Sequence, residues 1–123
     1  MANQNEKGLK RILNACVFSY YGYKATWEHE EAFRQEVMLF VVTTPLALWL
    51  GNTTIEKLLL IGSMVLVLLV ELLNSAVEAV VDRVGLEHHE LSGRAKDIGS
   101  AAVNLSLVWA AITWISILLL RGN

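Results

Sequence analysis

Residues 58–82 read LLLIGSMVLVLLVELLNSAVEAVVD, and this stretch decides the fold. From Leu58 to Val70 whole helical turns carry no charged side chain. A helix of a small water-soluble domain keeps a polar face, because part of its surface meets water. A membrane-spanning helix is the better account. The character then changes: Glu71, Asn74, Ser75, Glu78 and Asp82 follow at spacings of three and four, with helix-compatible residues between them. That spacing stacks them on one face over about three turns. Leu72, Leu73, Val77, Val80 and Val81 fall on the other faces. A carboxylate at the bilayer centre costs about 2.5–3.5 kcal/mol on insertion scales, so the stripe calls for a polar neighbour, a cation or water. A second reading makes it the solvated end of a helix leaving the membrane. That reading suits Asp82 and Glu78, and suits Glu71 poorly, because apolar residues surround it.

The flanking segments repeat the pattern. A helix spans about residues 55–84, with Gly51-Asn52-Thr53-Thr54 before it as a turn and N-cap and Gly85 after it as a stop. A span over about 32–50 contains Pro45, which removes one helical hydrogen bond; Thr43 and Thr44 stand beside it to bond freed carbonyls. A third span covers about 95–120 and is long enough to cross a core of roughly 30 Å. About residues 6–27 form an amphipathic helix too polar to span. Its apolar residues recur every three or four positions, and its basic and aromatic residues suit the membrane interface. The expected architecture is all-α: three transmembrane helices and a surface helix in a single domain over 1–123. Met1 to Arg11 is polar and precedes no cleavable apolar core, so no removable signal peptide is expected.

The chain has 123 residues, 54% of them apolar, and a net charge of -2. No basic patch interleaves with aromatics, so nucleic acid is not an expected partner. Cys16 is the single cysteine, which leaves no intrachain disulfide or Cys-based zinc site; it is read as a small buried packing residue. Lys7, Lys10, Arg11, Lys24, Arg34, Arg83, Arg94 and Lys96 gather on one side, against Lys57 and Arg121 on the other. That bias places the N-terminus and the 83–97 loop in the cytoplasm, as in a multi-pass protein of the inner-membrane type.

Two carboxylates at a cytoplasmic membrane edge offer two chemistries. One can hold a divalent cation, which prefers oxygen ligands; the other, desolvated, can take a proton from a hydroxyl. Lys96-Asp97 lies at matching depth, and a lysine there either neutralises phosphate oxygens or serves as a basic membrane anchor. Glu28, Glu30, Glu31 and Glu36 read individually as solvated flanks of the first span. His88 and His89 are too close for a helical zinc pair and read as loop, with nucleotide contact the other option. No Gly-rich phosphate loop or protein-kinase motif is present, so any phosphoryl transfer uses an unconventional site.

Glu71-Leu72-Leu73-Asn74-Ser75-Ala76-Val77-Glu78-Ala79-Val80-Val81-Asp82-Arg83 resembles the signature of prokaryotic integral-membrane diacylglycerol kinases. So do Ala95-Lys96-Asp97 running into Gly99-Ser100-Ala101-Ala102-Val103, and Trp27 followed by Glu30 and Ala32-Phe33-Arg34-Gln35-Glu36, the last in the Gram-negative form. The resemblance runs along essentially the whole chain. It implies a homotrimeric helical bundle that transfers the ATP γ-phosphate to diacylglycerol with Mg²⁺, giving phosphatidic acid. Glu71 is then the implied catalytic base, and Glu30 and Glu78 hold the metal. The nucleotide would meet Arg11, Phe18, Glu30, Asn74, Glu78, Glu87, His88, His89, Lys96 and Asp97. The lipid substrate would meet Arg11, Ala15, Cys16, Ser19, Tyr20, Lys24, Trp27, Ala32, Arg34, Gln35, Glu36, Trp49, Lys57, Glu71, Ser100 and Trp114. The N-terminal helix matches the family in character more than in letters, and Glu28 and Glu31 crowd Glu30 with acids. Undecaprenol kinase activity is the near alternative. A small proton-coupled transporter is the distant one, and the clustering of Asn74, Glu78, Lys96 and Asp97 at one face speaks against it.

Overall fold

A computed structural model describes residues 7–121. Four helices follow one another: α1 over Gly8–His29, α2 over Glu31–Leu50, α3 over Thr54–Val84 and α4 over Glu90–Leu120. The last three are each long and apolar enough to cross a membrane. α1 runs two residues further than expected, and the expected start at residue 6 lies outside the described residues.

α4 begins at Glu90, five residues before the start read from apolar character. His89 explains the difference: its Nδ1 accepts a hydrogen bond from the Leu91 amide at 3.0 Å, capping the helix ahead of its apolar part. At 1.5 Å per residue α3 and α4 are each about 46 Å long, so both project well beyond a hydrocarbon core of about 30 Å. α3 opens on Thr53, whose hydroxyl accepts from the Glu56 amide at 3.1 Å, and closes on Gly85. α2 continues through Pro45. The Thr43 and Thr44 hydroxyls both donate to the Phe40 carbonyl, at 3.4 and 2.7 Å, one residue short of the Val41 carbonyl that Pro45 leaves without its helical partner.

The bundle is held along α3. Met64 and Val67 of α3 and Ala110 of α4 form its buried centre, with Phe40 of α2 and Trp114 of α4 packed against it. The Trp114 indole N–H donates to the Leu60 carbonyl at 3.2 Å, tying α4 to α3 across the core. The hydroxyls of Ser63, Ser106 and Thr113 bond carbonyls of their own helices, so these polar residues are accommodated without water. None of the residues of α1 is buried. Cys16 sits on its exposed surface, which corrects its reading as a packed residue.

At the end of the bundle away from α1, three helix termini meet on one guanidinium. Arg121 Nη1 donates to the Leu50 carbonyl at 2.8 Å and pairs with Glu56 Oε1 at 2.9 Å. The same carboxylate oxygen accepts from the Asn52 amide at 2.9 Å. Arg121→Ala and Glu56→Gln each lower the thermal unfolding midpoint of the detergent-solubilised protein by a few degrees. High salt narrows the gap to wild type, since charge-assisted contacts at this exposure are screened. Unchanged midpoints in both variants would show the clasp to be idle.

Candidate active site

The site is assembled at the other end, around the one residue between α1 and α2 that is not helical. Glu30 has extended backbone (φ -120°, ψ 107°), so the chain turns a corner there. Arg34 holds that corner: its Nη1 donates to the Trp27 carbonyl at 2.6 Å and the Glu28 carbonyl at 3.4 Å, satisfying acceptors that the end of α1 leaves free. Arg34 thus has a positioning role at the corner, beside the lipid contact that the resemblance implies for it.

The corner aims Glu30 at α3. A cleft of about 260 Å³ is lined by Glu30, Ala32, Glu71, Asn74, Glu78, Ser100 and Val103. Three elements thus converge on the stripe read from the sequence. Glu71 is 3% exposed, and Asn74 and Ser75 are also buried, so Glu71 is no solvated helix end. Asn74 Nδ2 reaches Glu78 Oε1 at 3.5 Å, a long contact, while Asn74 Oδ1 and Ser75 Oγ are buried without partners. Glu36 is buried as well, within electrostatic reach of Glu71 and with Oε2 unpartnered. That corrects its reading as a solvated flank: α2 turns it inward, where Glu28 and Glu31 stay exposed.

Burial pushes the Glu30 carboxyl above the ordinary carboxylate range; Glu78 and Asp82 push it the same way, and His29 opposes them. Like charges drawn together in this way are relieved by a cation. Among the described residues no group of three or more His, Cys, Asp or Glu gathers as a protein-only metal cage. Lys96 is not free: its Nζ pairs with Asp82 Oδ1 at 2.8 Å, from the second turn of α4 to the last turn of α3.

The remaining expected site residues divide by place. Arg11, Ala15, Cys16, Phe18, Ser19, Tyr20, Lys24 and Trp27 are exposed along α1, where the Ser19 hydroxyl bonds the Ala15 carbonyl. Gln35, Glu87, His88 and Asp97 are exposed near the cleft end, and His89 is engaged as the α4 cap. Trp49, Lys57 and Trp114 belong to the opposite end. Lys57 lies fourteen residues from Glu71 along α3, about 21 Å. The Trp114 indole is committed to the core. The structure does not bring these three to the cleft.

The model of prokaryotic diacylglycerol kinase matches residues 17–118. The chain belongs to that family. It is 53% identical over 114 residues to a diacylglycerol kinase of Escherichia coli strain K12, covering 93% of each chain. It is 51% identical over 116 residues to one from Pseudomonas aeruginosa (94% of each), and 50% identical over 111 residues to one from Haemophilus influenzae (90% of this chain, 94% of the relative). The family expectation carried by residues 71–83 and 95–103 is borne out, and the chain is a bacterial membrane protein of the kinase class.

One contributor escaped the sequence reading. A Cβ at Gly99 would sit against Asn74 Oδ1, with Asn74 Cγ at 3.2 Å, so the bare backbone of α4 lets that amide stand in the cleft. An isolated glycine in a helical pattern was the available signal. Gly99→Ala displaces Asn74 and lowers phosphate transfer at least ten-fold, while circular dichroism keeps the wild-type helix content. Activity within two-fold of wild type would mean that the close approach carries no weight.

Proposed function

We propose that this chain is an ATP-dependent lipid kinase that phosphorylates diacylglycerol to phosphatidic acid at the cytoplasmic face of the inner membrane. The observation that carries this reading is the cleft itself. A buried glutamate, Glu71, shares it with two further carboxylates and an amide at one edge of a membrane bundle, in a chain about half identical to proteins named diacylglycerol kinase.

Glu71 accepts the proton of the lipid hydroxyl as its oxygen forms a bond to the γ-phosphorus of ATP and the bond to ADP breaks. Burial keeps the base away from water, which would otherwise compete for the phosphoryl group. Glu30 and Glu78 present oxygen donors from two elements, which suits the Mg²⁺ of MgATP; that ion takes one or two protein carboxylates and completes its shell with phosphate oxygens and water. Held there, it would offset charge on the phosphates. Asn74, between Glu71 and Glu78 on the helix, turns its Nδ2 toward Glu78 Oε1 at 3.5 Å and steadies that carboxylate beside the cleft. Lys96 supplies positive charge to the phosphate chain, and Asp97 with the Glu87–His89 loop lies on the nucleoside side. The exposed face of α1 sits in the interface, where its aromatic and basic residues meet lipid.

The N-terminus is cytoplasmic, as the Lys and Arg distribution supports. Residues 1–123 form one membrane kinase domain that functions as a homotrimer.

The direct test is phosphate transfer from labelled ATP to diacylglycerol and to undecaprenol, each with and without Mg²⁺. Mg²⁺-dependent labelling of diacylglycerol is expected; labelling of undecaprenol alone would reassign the substrate, and labelling of neither by folded protein would end the kinase reading. Glu71→Gln lowers kcat by about 10²–10⁴-fold, the usual contribution of a positioned base, with oligomer size by sedimentation unchanged. Near-normal turnover would remove Glu71 from that role.

A further inference from the structure

We infer that Asp82 is a positioning residue for the nucleotide phosphates, acting through Lys96. The inference rests on the kinase reading and adds a residue that reading does not use.

Asp82 is four residues beyond Glu78 and eleven beyond Glu71, so it continues the same α3 stripe about one turn outward. Lys96 comes from another helix, across the connection at residues 85–89. Among the described residues its one ion pair is the 2.8 Å contact with Asp82. Both side chains are about half exposed, at 46% and 50%. A lysine so exposed otherwise samples many rotamers, because its four-carbon stem is flexible. Asp82 collapses that freedom and leaves the ammonium one turn from Glu78, beside the cleft. An ammonium has three donors; one is used by Asp82 and two remain for phosphate oxygens. The pairing also neutralises a carboxylate that would otherwise repel the phosphates at the mouth of the site.

An ordinary surface ion pair of this exposure has little effect of any kind, and that gives the two accounts different consequences. Arg94–Glu90, a 3.4 Å pair on the first turn of α4, is the internal comparison. Asp82→Asn raises KM for MgATP about ten-fold, leaves kcat within two-fold and leaves KM for diacylglycerol unchanged. Asp82→Glu, whose carboxylate still reaches Lys96, brings KM for MgATP back to within three-fold of wild type. Glu90→Gln alters none of the three constants. In a Lys96→Met background, where direct MgATP binding is measured by calorimetry instead of turnover, adding Asp82→Asn weakens binding no further. An unchanged KM in folded Asp82→Asn overturns the inference, as does a loss confined to kcat. So does an equal added loss of binding in the Lys96→Met background. Absence of turnover in the wild-type chain itself overturns the kinase reading first, and this inference with it.

Discussion

Everything in this bundle follows from placing carboxylates where hydrocarbon surrounds the chain. Glu71 is nearly inaccessible on a helix whose other faces carry leucine and valine. Such a group persists only if other elements close over it with polar atoms. α2 brings Ala32 and the inward Glu36, the α1–α2 corner brings Glu30, and α4 brings Ser100 and the bare backbone of Gly99. The apolar core around Val67 then serves to hold α3 in register with these neighbours.

The two ends of the bundle solve different problems. At the α1 end the chain must leave a surface helix and enter a span without a long loop, and it does so through a single extended residue. Arg34 bonds the carbonyls that the break in the helix leaves open. That economy makes the corner residue itself, Glu30, a member of the cleft. At the opposite end Arg121 gathers the end of α2, the start of α3 and its own helix.

Much of the site was legible because helical spacing is strict. Glu71, Asn74, Ser75 and Glu78 share a face whatever surrounds them, and polar residues at those positions are conspicuous in an apolar helix. Lys96 was visible as a cation at matching depth. Its pairing with Asp82 was not, since two exposed charges on different helices meet only if the helices cross at the right height. The corner contact of Arg34 and the close approach at Gly99 were hidden for a related reason: each involves an atom of another segment, Trp27 O and Asn74 Oδ1. The early start of α4 was missed because apolar character marks where a helix enters lipid, and His89 caps it in the polar stretch before that.

The sequence by itself determined that the chain makes three spans and a surface helix, since the length and polarity of each segment are local quantities. It also determined which face of α3 carries the acids, because helical periodicity needs no partner to be read. Only the tertiary structure decided which of the many acids join that face. Glu30 and Glu36 turn inward while Glu28 and Glu31, one or two residues from Glu30, stay in solvent. The structure likewise separated Trp49, Lys57 and Trp114 from the cleft. These are outcomes of one corner and of helix crossings, and residue types one position apart do not encode the direction in which a corner points.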